Sequence, residues 1–445
     1  MMRLPIPVLL YIIAVVLPIG FSVGPVYLTG VRILLLILIV PLIVRLFLGK
    51  YGPIIATDIF FFLHLSWVIV SLWVNNPNLA IQNAGSTGIE FIGGYLLGRA
   101  YIRNQADFIS LTFLLSIVIV VLMPFAFYEA FTGRPIVLEF LNKIPGISSL
   151  PKVYSDKRMG LNRVQMNFVH PIHWGLFCSL VVSLVFVGLK GSMSNLLRII
   201  LSGFITIGGL LALSSGALLA IILQFGLVVW AAIFRKSSNR WLILLACFLV
   251  FYVLVDALSD RSPIMVFLSY ATFSAHTAYW RTIIFEWGMI NVWANPIFGL
   301  GLNDWIRPVW MYSGSMDNFW LLMGVRYGIP GFTFIAAGYG IAIWKIGFRK
   351  FNDDIVLWSL RRAWMFSFLG LSFTISTVHI WHTIYSFVFF MFGSGIWMLT
   401  ANANGGVNSS SNNNIVDRPK RSKLHFRNNS KENNKFSRFE RKFRK

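Results

Sequence analysis

Charge is what this sequence lacks most. Only 12% of its 445 residues are Asp, Glu, Lys or Arg, while 57% are hydrophobic and mean hydropathy is +0.71. A soluble domain carries about 25% charged residues. The shortfall excludes an ordinary globular protein, because the apolar stretches recur and are long enough to cross a bilayer. Cysteine is nearly absent. Cys178 and Cys247 both lie in apolar runs and read as small buried hydrophobes, which excludes a disulfide framework or a thiolate metal site. No metal-ligand cluster, phosphate-cradling glycine loop or serine-hydrolase elbow occurs, and "GFITIGG" at 203–209 is a packing segment inside an apolar run. Residues 6–22 lack a small-x-small cleavage site and further spans follow, so they read as a retained first helix.

What is present is a series of twelve apolar stretches, near 6–22, 31–49, 54–74, 86–100, 107–127, 168–189, 196–213, 215–234, 240–256, 319–344, 357–378 and 381–400. The fourth, "GSTGIEFIGGYLLG", is the weakest, with Glu90 and several glycines. The expected fold is an all-α integral membrane protein of about 12 transmembrane helices. Charge sets its orientation. The short connections near 22–30, 75–85, 214–215 and 379–380 contain no Lys or Arg, whereas the alternate connections hold Lys50, Arg103, Lys190, Arg235, Lys236, Lys345, Arg349 and Lys350. By the positive-inside rule the N- and C-termini are then cytoplasmic. Two large extracytoplasmic loops follow, 128–167 and 257–318.

The net charge of +22 is unevenly placed. Residues 1–400 form the polytopic transmembrane domain. Residues 401–445 carry 12 Lys/Arg against 3 Asp/Glu and are rich in Asn and Ser, so they cannot bury enough apolar surface to fold alone. They read as a disordered basic cytoplasmic tail drawn to membrane lipids, or as a docking segment for a cytoplasmic partner. No nucleic acid is expected as a partner.

The two outer loops run against the charge pattern. Residues 128–167 hold Arg134, Lys143, Lys152, Lys157, Arg158 and Arg163; residues 257–318 hold Arg261, Arg281 and Arg307. Long translocated loops tolerate charge, so these are solvated cations, or some of them bind an anionic substrate on the outer face. That side of the membrane has no ATP, so an enzyme there needs a substrate carrying its own activation.

Candidate chemistry concentrates in "HTAYWRTIIFEWGMINVWANPIFGLGLNDWIRPVWMYSGSMDNFW", 276–320. Tyr279, Trp280, Ile283, Ile284, Trp287, Ile290 and Val292 predict an amphipathic helix suited to the interface. Arg281 within it is an anchor, a partner of Glu286, or a fork of donors for a phosphate, which guanidinium matches bidentately. "NPIFGLGLNDW" makes a turn, either plain or closely approaching a ligand. Asp317 and Asn318 precede an apolar run. Either would cap the coming helix, or the pair is a catalytic group at the membrane surface. His170 and His173, three apart at the end of the first loop, share one helix face. They are too few for a closed metal site and also read as a polar helix start.

Four stretches together resemble the O-antigen ligase/polymerase superfamily of bacterial envelope glycosyltransferases, membrane enzymes of the GT-C type. They are "YEAFTGRPI" after the fifth span, "RMGLNRVQMNFVHPIHWG" before the sixth, "LSSGALLA" at 213–220, and "RTIIFEWGMINVWANPIFGLGLNDW" followed by "DNFWLLMGVRYGIPG". The likeness covers roughly residues 30–400. It implies a multi-pass protein of the bacterial inner membrane with a periplasmic active site in the 257–318 loop. The implied reaction moves a glycan from undecaprenyl diphosphate to an acceptor hydroxyl, with inversion and without a metal or other cofactor. Polymerisation of O-antigen or exopolysaccharide repeat units, ligation to lipid A-core, and partnership with other polysaccharide-assembly proteins all fall within the family's range.

By resemblance, Arg281 matches the catalytic-loop arginine, and Arg158 or Arg163 the arginine before the His-Pro motif, as diphosphate ligands. Asp317 is the implied base, with Asn318 and His170 orienting the acceptor or the base. Two departures stand out. Asp317-Asn318 replaces the common His-Asn pair, and Ser214-Ser215-Gly216 replaces Ser-Arg-Gly, a loss that Arg158, Arg163 or Arg307 could make good. The His-to-Asp departure favours polymerase over ligase. A lipid-linked glycan transporter also fits twelve spans. It would place charge along a path within them, where Asp58 and Glu90 are the candidates, and would show an inverted repeat, which is not seen.

Overall fold

The computed structural model describes residues 4–23, 26–154, 157–237, 239–270, 275–351 and 354–401. All of the expected basic tail except residue 401 lies outside the described residues. The chain is 71% helical. In order, its elements are α1 (Ile6–Val16), a hairpin of β1 (Gly20–Val23) and β2 (Val26–Thr29), α2 (Gly30–Phe47), α3 (Ala56–Asn75), α4 (Pro77–Gly88), α5 (Gly94–Tyr101), α6 (Gln105–Thr132), α7 (Ile136–Leu141), α8 (Pro171–Ser183), α9 (Asn195–Leu211), α10 (Ser215–Ile233), α11 (Arg240–Leu258), α12 (Pro263–Tyr270), α13 (Ala275–Ala294), α14 (Phe319–Gly347), α15 (Ile355–Thr374) and α16 (His382–Gly393). A π-helical turn, Ile89–Gly93, joins α4 to α5, and another, Leu184–Gly188, extends α8.

A helix lies over each of the twelve apolar stretches. Among the described residues, eight helical segments are long and apolar enough to cross a membrane, namely 30–47, 56–75, 105–132, 171–188, 215–233, 240–258, 319–347 and 382–399; α1 and α9 are shorter apolar helices. This is a multi-pass membrane protein. Polar residues between the apolar runs set the helix starts. Asn104 accepts the Asp107 N–H at 2.9 Å to begin α6, and Asp354 accepts those of Val356 and Leu357 at 3.0 Å to begin α15. Gly133, at φ +68°, ends α6 in the left-handed conformation.

The hairpin departs from an all-α fold. β1 and β2 pair antiparallel, Gly20 opposite Thr29, across the end of the first apolar stretch and the connection near 22–30. Gly20 and Ser148 exchange backbone hydrogen bonds of 2.9 and 3.0 Å, so the hairpin also fastens the 128–167 loop.

α8 and α16 form the buried centre, and α11 has no buried residue. Cys178 on α8 is buried as expected, but Cys247 on α11 is exposed. The apolar run around Cys247 is a peripheral helix, so its composition reports lipid exposure rather than core. The two acidic residues singled out as candidates for a path through the spans are paired: Asp58 with Arg99 and, at 2.6 Å, with the Tyr95 hydroxyl, and Glu90 with Arg32 at 2.8 Å. Removing one partner of either pair would leave an uncompensated charge in the bundle.

Candidate active site

The site is assembled at one end of the bundle from the 128–167 loop, the α9–α10 junction, α13 and the start of α14. The "YEAFTGRPI" motif has a mechanical role. Glu129, buried near the end of α6, accepts the backbone N–H groups of Gln165 at 2.8 Å and Met166 at 3.0 Å. That grip holds Met166 at φ +49°, a conformation a non-glycine residue rarely adopts. Gln165 extends the brace. Its amide oxygen accepts from the Val153 N–H at 2.6 Å, and its amide nitrogen donates to the carbonyls of Pro151 and Phe168. Asn167 donates to the Val16 carbonyl at 2.7 Å. The chain bearing Arg158, Arg163 and His170 is thereby fixed to the bundle.

Both arginines reach the α9–α10 junction. Leu213 there has φ +45°, so the carbonyls of Ala212 and Leu213 turn out of the helix. Arg163 Nε donates to Ala212 O at 3.4 Å, and Arg158 Nη1 to Leu213 O at 2.9 Å. This is the Ser214-Ser215-Gly216 segment that lacks an arginine of its own, and two arginines from another loop lie against it. Arg307 is committed elsewhere: it pairs with Asp304 and donates to Met311 O at 3.0 Å, which bends its own loop.

The electrostatics tie the remaining groups together. Burial pushes Arg281 on α13 down to about 10; the Asp317 carboxylate opposes that shift and the Arg158 guanidinium adds to it. Arg163 is likewise lowered to about 10 by burial and by Arg158. Both stay protonated at neutral pH. Burial, then Arg163 and Arg158, push His170 down to about 4, so its ring is neutral. His170 Nδ1 accepts the Ile172 N–H at 3.2 Å, which makes His170 the N-cap of α8. Its ring lies 6.4 Å from that of His173.

The two readings of the Asp-Asn pair separate here. Asn318 is the cap of α14, its side chain accepting from the Leu321 N–H at 3.0 Å, and it is buried. Asp317 is exposed and accepts a hydrogen bond from the Ser315 hydroxyl at 2.9 Å. Its carboxylate is therefore not used in starting the helix.

The glycine turn docks on a break in α14. Gly328 there has φ +70°, and Pro330 follows. The interrupted helix leaves the carbonyls of Val325 and Arg326 to accept the N–H groups of Leu300 and Gly301, both at 2.8 Å. Contact is so close that a Cβ on Gly299 would lie 2.5 Å from the Arg326 carbonyl. The close packing against α14 is enough to require glycine at 299.

Four residues outside the sequence-derived set join the same end: Glu129, Arg326, His379 and His382. His379 sits in the 379–380 connection, read above only as free of Lys and Arg, and His382 at the start of the last apolar stretch. The signal for Arg326 was a lone cation inside an apolar run. His379 stacks on Phe319, the first residue of α14, with ring centres 6.3 Å apart. Trp381 stacks on His379 at 5.5 Å and contacts His173 at 4.2 Å.

Residues 199–336 match the family model Wzy_C, O-antigen ligase. The match supports the O-antigen ligase/polymerase superfamily for this chain. It spans the α9–α10 junction, Arg281, Asp317, Asn318 and the break in α14, but not Arg158, Arg163 or His170. No curated protein matches the chain.

Proposed function

We propose that the protein transfers a glycan from an undecaprenyl diphosphate-linked donor to a sugar hydroxyl at the outer face of the bacterial inner membrane, as a metal-independent inverting polymerase of polysaccharide repeat units. The observation that carries this reading is Arg281 within electrostatic reach of both the Asp317 carboxylate and Arg158, with Arg158 and Arg163 side by side on the α9–α10 junction, and a matching family model across two of those four residues. Twelve spans with both termini cytoplasmic would put this cluster outside.

The acceptor oxygen attacks the anomeric carbon as the bond from that carbon to the phosphate oxygen breaks. The leaving lipid diphosphate keeps the electron pair. Three guanidinium groups held in a partly dehydrated site stabilise that developing charge without reorganising. The proton lost by the acceptor goes to the Asp317 carboxylate. The Asp317 carboxylate lies within electrostatic reach of Arg281, Asn318 fixes the start of the helix beside it, and His170, neutral and with Nδ1 taken by the Ile172 N–H, has its Nε2–H left to donate to an oxygen of the acceptor sugar. The same site would serve a ligase whose acceptor is lipid A-core. The absence of the usual histidine at position 317 favours polymerase.

The test is complementation of a deletion strain at matched membrane levels, with surface glycan read by gel. Arg281→Ala and Asp317→Asn should both abolish long glycan. A single repeat on the final acceptor identifies a polymerase, and long chains left on the carrier identify a ligase. Normal glycan in both variants refutes the assignment. Asn318→Ala should weaken the cap by about 1 kcal/mol and lower activity only in part.

A further inference from the structure

A second cationic cluster lies beyond the histidines. Arg326 stands about 12 Å along α14 from its Asn318 cap, immediately before the break at Gly328. It is half-buried inside an apolar run, and among the described residues no carboxylate lies within ion-pair distance of it. An ionisable group so placed is a mark of function in a membrane protein, because an uncompensated charge there is costly. Arg326 contrasts with Arg99, whose carboxylate partner is built in.

Arg32, at the start of α2, faces the same region. Its Nε donates to Glu90 at 2.8 Å and its Nη1 to the Tyr27 carbonyl at 3.0 Å, while Nη2 lies 3.4 Å from His382 Nδ1. His382 is exposed and has φ +53°, a strained conformation for a residue with a side chain. His379 is held between Phe319 and Trp381, and its Nδ1 is buried with no hydrogen-bond partner. Burial lowers its pKa to about 3, and Arg326 and then His382 add to the shift, so the three groups act on one another. Of these two guanidinium groups and two imidazoles, only Arg32 pairs with a carboxylate among the described residues, Glu90.

We infer that Arg32, Arg326, His379 and His382 form a second phosphate-binding subsite, which takes the diphosphate of a lipid-linked acceptor. Guanidinium and imidazole N–H groups suit phosphate oxygens, and the ligand supplies the anion that Arg326 lacks. The inference rests on the reading of Arg158, Arg163 and Arg281 as the donor site. It names the acceptor as a second carrier-linked glycan: a polymerase has two lipid diphosphates to hold at once, and among the described residues this end of the bundle offers a second arginine cluster beside the first, the two bridged by His170, Trp381 and His173.

The full-length protein in nanodiscs is titrated with undecaprenyl diphosphate, and bound lipid is counted by native mass spectrometry. Wild type should hold two. Arg281→Ala should hold one, Arg326→Gln should hold one, and the double variant none. His382→Asn, at an exposed site where asparagine tolerates the left-handed backbone, should weaken the second event by about tenfold. One lipid in wild type, or two in Arg326→Gln, overturns the inference and leaves the donor site standing. No binding in wild type, or binding indifferent to Arg281→Ala, overturns the donor reading beneath it. Displacement of the second lipid by phosphatidylglycerol, or a preference there for lipid A-core, overturns the carrier-linked acceptor.

Discussion

Glu129→Ala is the sharpest perturbation of the brace on the 128–167 loop. The carboxylate holds two buried N–H groups, those of Gln165 and Met166. A buried donor left without a partner costs about 1–3 kcal/mol, so the substitution removes about 2–6 kcal/mol from this segment. Met166 adds to the effect. Its left-handed backbone costs about 1–3 kcal/mol and persists only while the surroundings enforce it. The total exceeds what an outer loop can absorb, but it falls on residues 151–168 and not on the spans. The variant should therefore reach the membrane at wild-type level, become cleavable by protease within that segment, and lose long glycan as Arg163 and His170 lose their position. Glu129→Gln keeps one oxygen acceptor and should retain an intermediate share of both properties. An uncleaved loop with wild-type glycan in Glu129→Ala would refute the reasoning.

Two further outcomes follow from the geometry. Gly299→Ala adds a Cβ 2.5 Å from the Arg326 carbonyl at φ +62°; left-handed strain alone is about 1–2 kcal/mol, so membrane level and thermal stability should fall, while Gly203→Ala, with nothing within 4 Å, should be neutral. His170 and His379 are lowered to about 4 and about 3 in the folded protein against about 6.5 unfolded, so the unfolded chain binds protons first as pH drops; stability should be full above pH 6.5 and decline toward pH 4, and His170→Asn, which can still cap α8, should flatten part of that decline in a melting series across pH.

The sequence by itself determined the elements of the bundle. Apolar runs, their lengths and the polar residues between them place a helix at every expected stretch, because a backbone in lipid must satisfy its own hydrogen bonds. It also marked Arg158, Arg163, Arg281 and Asp317, since cations and an Asp-Asn pair stand out against so apolar a chain. The tertiary structure decided the assignments that depend on which residue arrives where. It gave the cap to Asn318 rather than Asp317, packed the glycine segment against α14, and withdrew Arg307 into a pair with Asp304. Contacts brought in Glu129, His379, His382 and Arg326, four residues from three distant segments. Arg326 is marked locally only as a lone cation in an apolar run; the other three have no local signature, because a buried carboxylate clasping a loop 36 residues away, or an imidazole stacked on a helix start 60 residues before it, is a fact of packing and not of spacing.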